Sequence, residues 1–153
     1  MKVLSEFDGG SLRKIVVAVA DDSHAPDIQK LCEDKGFKYD GWTCDWSKIG
    51  DNWLIAIHEG EVISCMQVLP GLPFGRIEYL LFKPGTPAFQ RLWCMMTLLS
   101  CAEVMLRSMG CQAFQCMIAD DDGPLWKEAL EDRGFIPLMR GFITMKVVGH
   151  GQW

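Results

Sequence analysis

From Arg13 to Ala20 the chain reads R-K-I-V-V-A-V-A, a β-branched apolar run that predicts a buried strand. The period then changes. Asp21, Asp22 and Ser23 offer helix N-cap groups, and Ile28, Leu31 and Cys32 recur at i, i+3, i+4 spacing. Asp27, Gln29, Lys30, Glu33 and Asp34 supply the polar side and Lys35-Gly36 a stop, so the spacing predicts an amphipathic helix over 25–35. Asp45 to Gly50 reads as a short turn or helix. Trp53–His58 and Glu61–Leu69 are two apolar runs joined by Glu59-Gly60, a tight hairpin signal. Pro70 to Gly75 breaks the second run, and Arg76–Lys83 predicts a third strand of an antiparallel meander.

A long helix follows over about 87–109, with Pro87 in its first turn and Gly110 at its end. Leu92, Met95, Met96, Leu99 and Ala102 mark one apolar face, and Trp93, Leu98, Met105, Leu106 and Met109 make much of the rest apolar, which predicts burial on several sides. Its apolar stretch from Leu92 to Ala102 is too short to span a bilayer, which needs about 20 residues. Cys111–Ala119 predicts a strand, Asp120 to Pro124 a loop, Leu125–Arg133 a short helix closed by Gly134, and Phe135–Leu138 with Gly141–Val148 a final strand pair. Residues 1–12 read as a loose lead-in, 13–148 as one domain and 149–153 as a tail. The order β-α-(α)-β-β-β-α-β-α-β-β fits the α/β (α+β) class: one mixed, mostly antiparallel sheet with helices on both faces.

Composition narrows the function classes. Of 153 residues, 49% are hydrophobic and 23% charged, which excludes a disordered chain. The net charge of −5 gives no basic field for bulk nucleic acid or anionic membrane. The start of the chain shows no secretory signal pattern. Seven cysteines lie mostly in apolar runs without a C-x-x-C pair, and His24, His58 and His150 form no spacing motif. They read as free, buried thiols of a reducing, cytoplasmic compartment, with no metal site; residence in a virion is compatible with this.

Particular stretches resemble the GNAT superfamily of acyl-CoA-dependent N-acyltransferases. Asn52–Leu69 is similar to that family's second and third strands. Glu78–Pro84, E-Y-L-L-F-K-P, is similar to its fourth strand with the L-x-V-x-P ending, here Leu80, Phe82 and Pro84. Trp126–Phe135 resembles the short helix that closes on Gly-Phe. The resemblance implies acetyl-CoA as acyl donor, with its pantetheine arm along strand four at Leu81 and Phe82. It implies a pyrophosphate seat at the following helix start, over Ala88, Phe89, Gln90, Arg91 and Leu92. The sequence departs from the family pattern there: Ala88, Gln90 and Leu92 replace small or glycine residues, and Pro87 stands at the usual Arg or Gln without an N–H donor. Arg91 reads either as a compensating phosphate contact or as an ordinary solvated residue.

The resemblance makes Glu78 the candidate base; the alternative is a strand residue on a surface face. The family's usual Tyr acid is Leu130 here, which donates no proton. Strand alternation turns Tyr79 to the face opposite Glu78. Trp42 and Trp46 flank a loop that in this family often lines the acceptor site; they read as substrate contacts or as packing. Asp120, Asp121 and Asp122 read as a cation attractor or as stabilisers of the helix start that follows. Two functions remain. One is acetyl transfer from acetyl-CoA to a small-molecule or protein amine. The other is a degenerate relative acting as a binding or structural subunit, as a homo-oligomer or in a larger assembly such as a viral particle. Neither involves nucleic acid or a membrane.

Overall fold

A computed structural model describes residues 2–7, 14–36, 52–116 and 124–135. The readings on Trp42, Trp46, the 45–50 turn, Asp120 to Asp122 and strands over 136–148 lie outside the described residues. The chain divides into two compact units, Met1–Met117 and Ile118–Trp153.

The first unit is a six-stranded sheet in sequence order: β1 (Lys2–Phe7), β2 (Ile15–Val19), β3 (Trp53–His58), β4 (Glu61–Leu69), β5 (Phe74–Phe82) and β6 (Ala113–Cys116). Neighbours from β1 to β5 pair antiparallel, and β5 pairs parallel with β6. The mixed sheet with helices agrees with the expected class. The hairpin runs as its sequence predicts, with Glu59 (φ 51°) and Gly60 (φ 81°) both left-handed in the two-residue loop that matches sheet twist.

One segment differs from the sequence reading. Lys2–Phe7, expected as a loose lead-in, is a strand along β2, with Lys2 opposite Val19 and Phe7 opposite Ile15. Its signal is faint because Lys2, Val3 and Leu4 are exposed, so the run does not need the apolar density of a central strand.

Helix α1 (Ala25–Asp34) follows a single 3-10 turn capped by Asp21. Its buried Ala25, Ile28, Leu31 and Cys32 pack with Ala18, Trp53, Ile55, Val62, Cys65 and Leu81 in one cluster on one face of the sheet. Those residues alternate along their strands with Val17, Leu54, Ala56, Met66 and Ile77, which are equally buried on the other face. Helix α2 (Ala88–Ser108) covers that second face with Cys94, Met95, Leu98, Leu99, Ala102 and Leu106. Its closest approach is at Gly75, where an added Cβ would stand 2.6 Å from Leu106 Cδ2. A side chain there would have to displace the buried Leu106.

The second unit contributes α3 (Pro124–Glu131), ended by Gly134 with φ 84°. Among the described residues, no helix is long and apolar enough to cross a membrane.

Candidate active site

The middle of β5 carries the irregularity that organises the site. Gln67 of β4 faces Glu78, but Cys65 faces Leu81, so Tyr79 and Leu80 together oppose Met66 alone. Two residues against one is a β-bulge, and Tyr79 carries it at φ 51°. For a bulky aromatic residue the left-handed region is costly, and such strain concentrates at functional sites.

The bulge corrects one expectation. Alternation predicts Tyr79 on the face opposite Glu78, but the Tyr79 ring lies 6.1 Å from that of Trp53, tilted by 34°. Trp53 faces Gln67, which faces Glu78, and cross-strand partners share a face. Tyr79 and Glu78 therefore share the α1 face, because the extra residue resets the alternation. Trp53 is buried, and Tyr79 is 37% exposed.

Glu78 is the most enclosed charged group of this row. Its side chain is 12% exposed, and Oε1 lies 3.4 Å from Arg76 Nη1. Arg76, two residues earlier on the same face, is 56% exposed. The guanidinium offsets part of the cost of holding a carboxylate away from water.

The parallel pairing of β5 with β6 covers Phe74–Ala113 to Ile77–Cys116 and, among the described residues, goes no further. Beyond the bulge, β5 stays tied to β4: Lys83 N–H donates to the Ile63 carbonyl at 2.8 Å, and the buried Ser64 hydroxyl donates to the Leu81 carbonyl at 2.7 Å. Backbone groups alternate sides along a strand, so those of Phe82 point away from β4. Leu81 is buried under α1 and Phe82 is half-buried.

A tight turn then leads into α2. Thr86 N–H and its hydroxyl both donate to the Lys83 carbonyl, at 3.1 and 2.7 Å. Pro84 followed by Gly85 at φ 83° suits a type II turn. Pro87, expected in the first helical turn, is the N-cap, and no side chain caps the helix. The amides of the first turn therefore have no intrahelical acceptor, a setting that suits an anion. Of the five residues expected there, Gln90 is buried, Ala88 and Arg91 are exposed, and Phe89 and Leu92 are each about half-exposed. The structure brings Glu78, Leu81, Phe82 and this helix start onto one continuous strand–turn–helix segment. Sequence reading missed Arg76, for which a Glu two residues after an Arg in a strand is the signal, and it placed Tyr79 on the wrong face.

A second polar cluster occupies the β2–α1 junction. Asp21 Oδ1 accepts from the Ser23 hydroxyl and amide and lies 2.9 Å from His24 Nδ1. The Ser23 hydroxyl, foremost, holds the Asp21 carboxyl well below its usual range. These contacts form a capping box, so the Ser-His-Asp set serves the helix start. Cys65, Cys94 and Cys111 are buried free thiols, and Cys32 is buried as well. Burial pushes the Cys94 thiol up to about 12 and raises Cys65 well above its ordinary value.

No family model and no curated protein matches the sequence. Solved structures match in fold. An aminoglycoside N-acetyltransferase, AAC(6')-Iy, in complex with a CoA-linked bisubstrate analogue superposes with a TM-score of 0.66 at 15% identity, covering 87% of this chain and 98% of that one. A Trypanosoma brucei acetyltransferase gives 0.58 at 14%, over 86% and 99%. A transcriptional regulator from Bacillus halodurans C-125 gives 0.65 at 13%, over 86% and 99%. The chain has the fold of the GNAT acyl-CoA N-acyltransferases.

Proposed function

We propose that the protein is an acetyl-CoA-dependent N-acetyltransferase with Glu78 as its base. The observation that carries this reading is the coincidence, at adjacent residues of β5, of an enclosed carboxylate at Glu78 and a bulge at Tyr79. Backbone groups of β5 beyond the bulge, Phe82 above all, would bond the pantetheine amides. The uncapped start of α2, from Ala88 to Leu92, would take the pyrophosphate, with Arg91 as the charged contact.

In the reaction, Glu78 takes a proton from the acceptor ammonium, directly or through water. The freed nitrogen lone pair attacks the thioester carbonyl carbon, a C–N bond forms, and the C–S bond breaks with its electron pair on sulfur. As the adduct collapses, its nitrogen releases its second proton to water and the thiolate takes one from water, so that no protein acid is needed. A CoA–SH and an acetamide result. Calorimetric titration with acetyl-CoA tests the donor: micromolar binding is expected, and no binding at millimolar ligand overturns the reading. Glu78→Gln is expected to lower kcat about 100-fold or more while acetyl-CoA binding persists.

A second reading rests on Phe89 and Leu92, 50% and 48% exposed at the helix start. Their bulk favours a GNAT-fold binding or structural subunit without catalysis. Acetyl transfer by a strictly monomeric preparation would exclude it.

A further inference from the structure

The row along β5 carries more than a base, and its composition points to the acceptor. Three chemically different groups lie in sequence on the α1 face: the Arg76 guanidinium, the Glu78 carboxylate 3.4 Å from it, and the Tyr79 ring backed by Trp53. A polycation fits this row poorly. Glu78 is already beside a cation, so the pair contributes no net negative charge, and Arg76 repels a second ammonium. A simple amine would engage Glu78 and draw the carboxylate away from Arg76 without giving the guanidinium anything in return. An acceptor with its own carboxylate one carbon from its ammonium satisfies both partners at once, since opposite charges then alternate around the set. Arg76 suits this role because its planar fork can bind a carboxylate through two N–H groups and its side chain is 56% exposed. Next to Glu78 along the strand, on the side away from Arg76, the partly exposed Tyr79 supplies an aromatic side chain, kept there by a backbone conformation that a Tyr adopts only at a cost.

We propose that the acceptor is a free α-amino acid with an apolar or aromatic side chain: its carboxylate on Arg76, its ammonium on Glu78 and its side chain against Tyr79. The bond changes are those already written, with the product an N-acetyl amino acid. This rests on the reading of Glu78 as the base of an acetyltransferase. Arg76 is then a specificity-determining contact, and Tyr79 the floor of the side-chain subsite.

The test uses the full chain and three probes of one shape: L-phenylalanine, L-phenylalaninamide and phenethylamine, in which the carboxylate is kept, neutralised and removed. An aminoglycoside serves as the polycationic comparison. Thiol release from acetyl-CoA is followed. The free acid is expected to exceed the amide and the amine in kcat/KM by about 10- to 100-fold, expressed mainly in KM. Arg76→Gln is expected to collapse that ratio to near one, and Arg76→Lys to restore part of it, which a merely structural role for Arg76 would not do. Equal use of acid and amine, preference for the aminoglycoside, a ratio that survives Arg76→Gln, or acetyl-CoA binding without transfer to any probe overturns the proposal. Failure of acetyl-CoA to bind in calorimetry overturns the acetyltransferase reading instead. In that case the same probes titrated alone decide the recognition, with tighter binding of the free acid upholding it and equal binding refuting it.

Discussion

Replacing Tyr79 separately by Ala and by Gly turns the β5 bulge into a measurement of sign. Both variants lose the ring pair with Trp53 at 6.1 Å, which contributes about 0.5–1.5 kcal/mol beyond burial. They differ only in what the backbone at φ 51° demands. A left-handed residue with a Cβ costs about 1–2 kcal/mol more than the right-handed conformation. Glycine escapes that penalty but loses about 0.5–1 kcal/mol of extra chain entropy on folding. The balance favours Gly over Ala by about 0.5–1 kcal/mol. At an ordinary strand position the order reverses, with Ala favoured by about the same amount. Urea unfolding followed by tryptophan fluorescence resolves this. With a slope of about 2 kcal/mol/M, the Gly variant should unfold about 0.4 M later than the Ala variant. An Ala variant more stable than the Gly variant would refute the bulge, and with it the placement of the Tyr79 ring beside Glu78.

Other consequences are quicker to check. Gly75→Ala forces a Cβ to 2.6 Å from Leu106 Cδ2, so a loss of about 1–3 kcal/mol is expected; Leu106→Val in the same chain should recover part of it in denaturant titrations. Ser64→Ala removes the hydroxyl that donates to the Leu81 carbonyl and should cost about 0.5–1.5 kcal/mol, while raising KM for acetyl-CoA more than that for the acceptor. Asp21 has a depressed carboxyl in the folded chain, so the unfolded chain binds its proton more readily and acid favours unfolding. The stability gap between wild type and Asp21→Ala should be full above the unfolded value near 4 and shrink as pH falls below it; a gap that grows in acid would contradict the capping geometry. Cys94 and Cys65 should resist a thiol reagent at pH 8 in the folded protein and react on unfolding, by mass spectrometric mapping.

How far the sequence carried the fold depends on what each element had to bury. The β3–β4 hairpin was legible because its apolar runs bury on both sides, and α2 because a long apolar run lies between Pro87 and Gly110; the predicted bounds fall within a residue or so of the observed ones, although α2 buries one side and leaves Leu92 and Val104 exposed rather than being buried on several sides. Strand β1 was not, since an edge with exposed Lys2, Val3 and Leu4 leaves little pattern. In the site, Glu78 and the residues of the β5–α2 segment could be named from resemblance, but not the company that Glu78 keeps. Alternation placed Tyr79 wrongly because a bulge is a property of two strands: the Cys65–Leu81 pairing that creates it cannot be seen in either strand alone. The Arg76 contact likewise depends on both residues falling on the same side of the bulge.

The turn from Lys83 to Thr86 bears on the entropy of recognition. Its proline fixes one dihedral, and two hydrogen bonds to a single carbonyl fix the rest. The strand end and the first helical amides are thus held as one rigid corner before any ligand arrives. A long, flexible donor that lies along one arm and anchors on the other meets both already in place, so the ordering cost falls on the donor rather than on the protein. An added Cβ at Gly85 meets nothing within 4 Å, so a side chain there would cost backbone strain at φ 83° rather than space. Loosening this corner should therefore weaken a two-point ligand far more than fragments that touch only one arm.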